Sequence, residues 1–203
     1  MIQRVMLTLT PALLLWACGD KDETAGKKEG GSAVGKDGKP VKVDPTLSWK
    51  DQKGPGFTVL GAQAPTEQKR GPKDPKDPLV VQVTTYSGYQ PAEFKGEFKI
   101  MVTEYTDKVA EVDLLKLLRE AAKEPATSMP GTKVEEMLAI GGEVPGMDAR
   151  YSGTDPQLGA FGMRQRFLFK NKILYIVQAR YSSTVKGLDD QALAFILSFK
   201  LTN

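Results

Sequence analysis

Cys18 is the only cysteine among 203 residues, and it closes an uncharged, mostly apolar run from Val5 to Ala17. Arg4 supplies a positive charge in front of that run. Crossing a hydrocarbon core takes about 20 apolar residues, so the stretch reads as the h-region of a signal peptide and not as a membrane span. No second long apolar run follows, so nothing else in the chain is expected to span. The part that folds must therefore begin downstream, and it must do so without a disulfide. Its stability has to come from an ordinary hydrophobic core. The chain also contains no histidine. That removes the usual general base, the Ser-His-Asp and Cys-His arrangements and the commonest metal ligand. No cofactor or metal is expected on these grounds.

Leu15-Trp16-Ala17-Cys18-Gly19 resembles the lipobox of bacterial lipoprotein signals. An apolar residue stands three before the cysteine, a small one directly before it, and glycine follows. The resemblance implies a signal peptide over 1–17, a thioether link from Cys18 to diacylglycerol, and often a further acyl chain such as palmitate on the new amino terminus. Each buried methylene contributes about 0.8 kcal/mol and one chain alone is marginal, so several chains anchor firmly. The plainer alternative is an ordinary secretory signal with an incidental cysteine. Gly19 stands where an aspartate would signal inner-membrane retention in some Gram-negative lineages. By that resemblance the expected site is the outer membrane, facing the periplasm; in a Gram-positive envelope the same anchor faces outward.

Residues 18–45 form a lipidated cysteine and linker. From Asp20 to Pro45 there are six lysines, six acidic residues, five glycines and no aromatic residue. Such a stretch cannot bury enough apolar surface to offset its ordering entropy, so a disordered linker is expected. Loss of residues 1–17 removes Arg4 and no acid, leaving 27 basic against 25 acidic residues, a formal +2. So small an excess argues against nucleic acid as a partner. The expected partners are the membrane, through the lipid, and a protein or envelope component.

The globular part is expected over 46–203. Phe57 to Leu60 reads as a short strand after the Gly54-Pro55-Gly56 turn. Residues 65–78 hold four prolines and read as an exposed loop. Leu79–Tyr86 and Glu97–Tyr105 read as strands, the second alternating Phe98, Ile100 and Val102 with more polar positions as if one face were exposed. A helix is predicted from about Lys108 to Glu124, capped by Asp107, ended by Pro125, with Val109, Val112, Leu115, Leu118 and Ala122 as its apolar stripe. Strands follow at Lys133–Ile140, Met147–Tyr151, Ala160–Phe169 and Ile173–Tyr181, the last two joined at Lys170-Asn171-Lys172. A final helix over Leu188–Ser198 buries Leu188, Ala192, Phe195, Ile196 and Phe199.

This order, with Gly142-Glu143-Val144-Pro145-Gly146, Lys170-Asn171-Lys172-Ile173-Leu174-Tyr175 and Ala194-Phe195-Ile196-Leu197-Ser198-Phe199-Lys200, resembles the PsbP/Mog-like domain. The resemblance covers about residues 46–203. It implies an α+β fold, a central antiparallel sheet between helices, and mostly non-catalytic roles in protein binding or assembly. It carries over no ligand or metal residue.

Arg164 and Arg166 lie two apart on one strand, Arg180 lies on the return strand, and Lys170 and Lys172 flank the turn. They are a candidate partner-binding patch, since residues two apart share a face; any solvent face of an antiparallel sheet gives the same pattern. The carboxylates Glu104, Asp107, Glu143, Asp148 and Asp155 are candidates for acid–base glycosidase work, which needs a pair roughly 5–9.5 Å apart. Their plainer role is as caps, turn formers and solvated charges, so no catalytic residue is assigned. The leading expectation is a lipid-anchored envelope protein whose domain binds without catalysis. The alternatives are a carboxylate-dependent envelope glycan hydrolase and a small-ligand carrier.

Overall fold

Hydrophobic alternation across residues 80–182 builds one large antiparallel sheet, which the rest of the domain covers. The computed structural model describes residues 48–72 and 78–202. The expected leader, Cys18 and the expected linker lie outside the described residues. In chain order the elements are β1 (Lys50–Gly54), β2 (Phe57–Gly61), β3 (Thr66–Arg70), β4 (Val80–Ser87), β5 (Gly96–Tyr105), a 3-10 turn (Asp107–Glu111), α1 (Leu114–Ser128), β6 (Lys133–Ile140), β7 (Gly146–Asp155), β8 (Gly159–Lys170), β9 (Ile173–Ser182), α2 (Leu188–Ser198) and β10 (Lys200–Leu201). Seven strands pair in the order β3-β4-β5-β9-β8-β7-β6, and β1-β2-β10 form a second, smaller sheet. The fold is α+β, with an antiparallel sheet flanked by helices.

Both faces of the large sheet are covered over its centre. One face presents Phe98, Ile100 and Val102 from β5 with Tyr175, Val177 and Ala179 from β9, buried under α2 and the small sheet. Phe195 of α2 stacks on Phe98 at 4.5 Å, and Phe199 stacks on Phe57 of β2 at 5.3 Å. The opposite face presents Met101, Leu174, Ile176, Met163, Phe167 and Tyr151, closed by Leu118 and Ala122 of α1. The Tyr151 hydroxyl donates to the Ala122 carbonyl at 2.6 Å, tying that helix to β7. The alternation in β5 is thus real, but neither of its faces is open: Met101 and Lys99 are as buried as their neighbours. A strand between two layers hides both faces, and polar residues there reflect local pairing (Lys99 meets Glu97) more than solvent.

Three sequence expectations are corrected. Within residues 65–78, Thr66–Arg70 is a strand at the edge of the large sheet, paired along β4. It lies between Pro65 and Pro72 without a proline of its own, and every side chain in it is exposed, so it carries no hydrophobic pattern. Residues 73–77 lie outside the described residues. The expected helix over 108–124 is divided: Asp107 begins only a 3-10 turn, and Asp113 caps α1, its Oδ1 accepting from the Lys116 N–H at 3.1 Å. Leu115, placed in the stripe, is exposed, and Leu117 with Leu118 and Ala122 form the buried side. Nor does Pro125 end the helix. It is buried, its carbonyl accepts from the Met129 N–H at 3.0 Å, and the turn continues to Ser128.

The β8–β9 turn follows its sequence. Asn171 and Lys172 both take left-handed backbone, φ 52° and 63°, the geometry of a two-residue primed turn matched to strand twist.

Candidate functional site

The three arginines singled out in the sequence do not share a face. In an antiparallel pair, directly opposite residues point the same way. Arg164 lies opposite Ala179 and Arg166 opposite Val177, on the face under α2. Arg180 lies opposite Met163, on the face under α1. The return strand's register puts its even-numbered residues on the other side. The expected single patch of three is therefore two sites, and in both the guanidinium is already engaged.

Arg164 makes a two-pronged contact with Asp189 at the start of α2, its Nε and Nη2 each donating at 2.7 Å. The Tyr181 hydroxyl donates to the same carboxylate. Arg166 grips Asp148, its direct neighbour on β7, through two bonds of 2.8 Å. On the far face Arg180 pairs with Asp155 and stands 4.7 Å over the Phe161 ring. Side-chain exposures of 21, 20 and 17 % for Arg164, Arg166 and Arg180 rule out three freely solvated cations. Planar forks of this kind fix geometry as well as charge. Here they fasten α2 to β8, and β7 to β8. Lys170 and Lys172 flank the turn, and Lys172 donates to Asp107 at 2.6 Å.

The candidate carboxylates are dispersed, and two of them, Asp107 and Asp155, are held ionised, as is Asp189. The Arg164 guanidinium, with the Tyr181 hydroxyl, keeps Asp189 below the usual carboxylate range despite partial burial. For Asp155 burial acts upward, but the Leu158 and Gln157 amides and Arg180 outweigh it and the net direction is down. Lys172 lowers Asp107. A glycosidase acid must instead hold its proton near working pH, which calls for an upward shift. Glu104 and Glu143 are exposed, at the end of β5 and in the β6–β7 connection. Asp148 sits within β7 on one face of the sheet, and Asp155 ends β7 on the other. Among the described residues no group of three or more Cys, Asp or Glu side chains is placed to hold a metal ion, and no helix is long and apolar enough to cross a membrane.

Sequence reasoning missed the face beside the Arg164 and Arg166 pairs. α2 packs on β8, β9 and β2, while α1 lies over β6, β7 and β8 from behind. Among the described residues, no helix or strand packs closely over the face of β6 and β7 on the α2 side. Glu136, Leu138 and Ile140 of β6 stand there, in register with Arg150, Asp148 and Gly146 of β7. Leu138 is 56 % exposed. On α2, Leu193 and Leu197 follow Asp189 at four-residue steps, so they line the flank that reaches toward β8. They are 37 % and 55 % exposed. Arg150 is exposed between the Arg164 and Glu136 rows, and its field helps to depress Asp189. Gly146 lets the floor close up: a Cβ there would meet the Phe167 carbonyl at 2.5 Å and the Leu168 side chain at 2.8 Å. Among the described residues this leaves an open strip of sheet, a shallow trough, with exposed leucines on α2 at one side and Leu138 on β6 at the other, and the Arg164–Asp189 and Arg166–Asp148 pairs between them. The readable signal was Leu193 and Leu197, both lying off the buried helical face.

No family model matches the chain, and no curated protein matches it. Among solved structures, the chain is similar to cyanobacterial PsbP (CyanoP) from Synechocystis sp. PCC 6803, at 12 % identity and a TM-score of 0.46, over 81 % of this chain and 100 % of that one. It is also similar to LpqN, a protein involved in cell envelope biogenesis of Mycobacterium tuberculosis, at 16 % identity and a TM-score of 0.45, over 69 % of this chain and 85 % of that one. Likenesses this distant leave the function of the domain to be argued from its own surface.

Proposed function

We propose that this chain is a lipid-anchored envelope protein whose domain binds a protein partner without catalysis, and that the trough between α2 and β6 is the binding face. The observation that carries the reading is that Leu138 on β6 and Leu193 and Leu197 on α2, three of the six exposed large apolar residues among those described, lie on one side of the sheet at either margin of its open part. Contiguous exposed apolar surface edged by polar groups is the usual mark of an interaction site. Arg164 and Arg166 enter as its rigid frame: their aspartates hold them in place, and Arg150 stands opposite Glu136 across the β6–β7 pair. Cys18 supplies the acyl anchor, on the resemblance of residues 15–19 to a lipobox. An outer-membrane position facing the periplasm follows from Gly19 for a Gram-negative source.

Site-specific photocrosslinking in cells tests this. A photoreactive residue at 138 or at 197 is expected to capture one common partner, and the same residue at the exposed position 123 on α1 is expected to capture none. Leu138→Thr, with the photoreactive residue at 197, is expected to weaken the capture while moving the unfolding stability by no more than about ±0.5 kcal/mol, as for other exposed positions. Equal capture from 123, or none from 138 and 197, refutes this face.

A further inference from the structure

We infer that the partner is an extended peptide segment, apolar at alternate positions with one basic residue placed beside Glu136, that adds an eighth strand to the large sheet along β6. This rests on the binding face proposed above and specifies its occupant. Among the described residues β6 is one of the two edges of the sheet and is bonded only to β7. An edge strand presents a row of unpaired N–H and C=O groups, and proteins normally guard it with charge, proline or short length. The other edge, β3, is guarded in that way: five residues, all exposed, with Lys69 and Glu67 ion-paired at 3.0 Å and Arg70 after them. β6 is eight residues long, and its last four, Met137-Leu138-Ala139-Ile140, carry neither charge nor proline.

The exposure pattern selects a strand over a globular surface. Met137 and Leu138 are 36 % and 56 % exposed on the same strand, and successive residues point to opposite faces. A body laid on either face covers one of them. A strand placed beside β6 covers both and satisfies the backbone row as well. A bulge between Val134 and Glu136 shifts the register before pairing resumes at Val134 and Lys133, so the longest regular template is residues 136–140.

Charge selects the chemistry. Glu136 shares the trough side with Leu138 and Ile140 and faces Arg150 across the pair. Among the described residues Glu136 has no ion pair. An incoming strand therefore places a basic residue beside Glu136 and apolar residues beside Leu138 and Ile140.

The test uses the full-length protein in detergent micelles, with empty micelles as the blank. The probe is a blocked, fluorescent peptide of alternating valine and threonine with one end valine replaced by lysine. Two companions carry glutamate at the lysine position, or N-methyl groups on alternate amides. Saturable binding of the lysine peptide is expected, with slowed hydrogen exchange confined to residues 136–140 and their β7 partners. The glutamate peptide should bind roughly three- to tenfold more weakly, as opposed and like cross-strand charges dictate. Glu136→Lys should reverse that order, and N-methylation should abolish binding. Absence of saturable binding, an order that Glu136→Lys leaves unchanged, or full binding of the N-methylated peptide overturns strand addition. Concentration-dependent dimers that protect 136–140 without peptide also overturn it and assign the edge to a second copy. If crosslinking from 138 and 197 succeeds while the peptide result fails, the face stands and only its occupant is wrong; if both fail, the face falls too.

Discussion

Replacing Phe195 with alanine tests whether the trough has a fixed wall. Phe195 is fully buried, stacked on Phe98 with ring centroids 4.5 Å apart at 15°, and tilted against Tyr89 at 5.5 Å. No neighbour is placed to refill the space, because Phe98 is itself held between Phe195, Phe94 and Trp49. Truncating a buried phenylalanine to alanine costs about 3–5 kcal/mol, the lost transfer energy plus the cavity left behind. A domain of this size loses roughly 2–4 °C of melting temperature per kcal/mol, so a fall of about 6–20 °C is expected. The assay is thermal unfolding followed by circular dichroism, with urea unfolding giving the free energy directly. Leu197→Ala on the same helix is the control: at 55 % exposure it should stay within about ±0.5 kcal/mol. A Phe195→Ala loss within that control range would refute the packing of α2 on the sheet, and with it the wall of the trough.

Three further outcomes are expected. Cys18→Ser should abolish incorporation of a clickable fatty acid, and label that persists in the variant counts against the lipid anchor. Arg164→Glu sets like charges against Asp189 and removes the fork that fastens α2 to β8; a loss of about 1–2 kcal/mol in urea unfolding is expected, where an open cation would give none. Alkali should destabilise the fold: burial, and then Asp189, push the Tyr181 hydroxyl up to about 12, and burial raises Tyr89 and Tyr151 further. Unfolded tyrosines titrate near pH 10, so this stability is complete below about pH 10 and is lost as pH rises toward the folded values. A urea midpoint equal at about pH 8 and about pH 11 would contradict it.

Much of the fold was legible because apolar periodicity records burial. α2 over Leu188–Ser198 and the β8–β9 hairpin followed from a helical stripe and an Asn-Lys turn. β3 was not legible, since an edge strand with only exposed side chains leaves no such record. The break before α1 was missed for a related reason: Val109 and Leu118 are both buried, so a 3-10 turn and a helix read as one stripe. The site was legible only in part. Spacing shows that Arg164 and Arg166 share a face, but the side on which Arg180 emerges depends on the register of β8 against β9, which the turn alone sets. That Asp148 and Asp189 hold the two arginines is tertiary information, and so is the bare edge at β6.

The small sheet fixes an order of events. β2, near the start of the domain, lies between β1 and β10, and the Thr202 amide donates to the Gly56 carbonyl at 2.9 Å. In the large sheet β5 cannot find β9 until some seventy residues later in the chain have appeared. Contacts of such long sequence separation delay closure. A nascent or threading chain of this design can form the β1–β2 hairpin early, but its core cannot seal until Phe199 and the strand after it are delivered. Until then the side of Phe57 on which Phe199 stacks stays open to water.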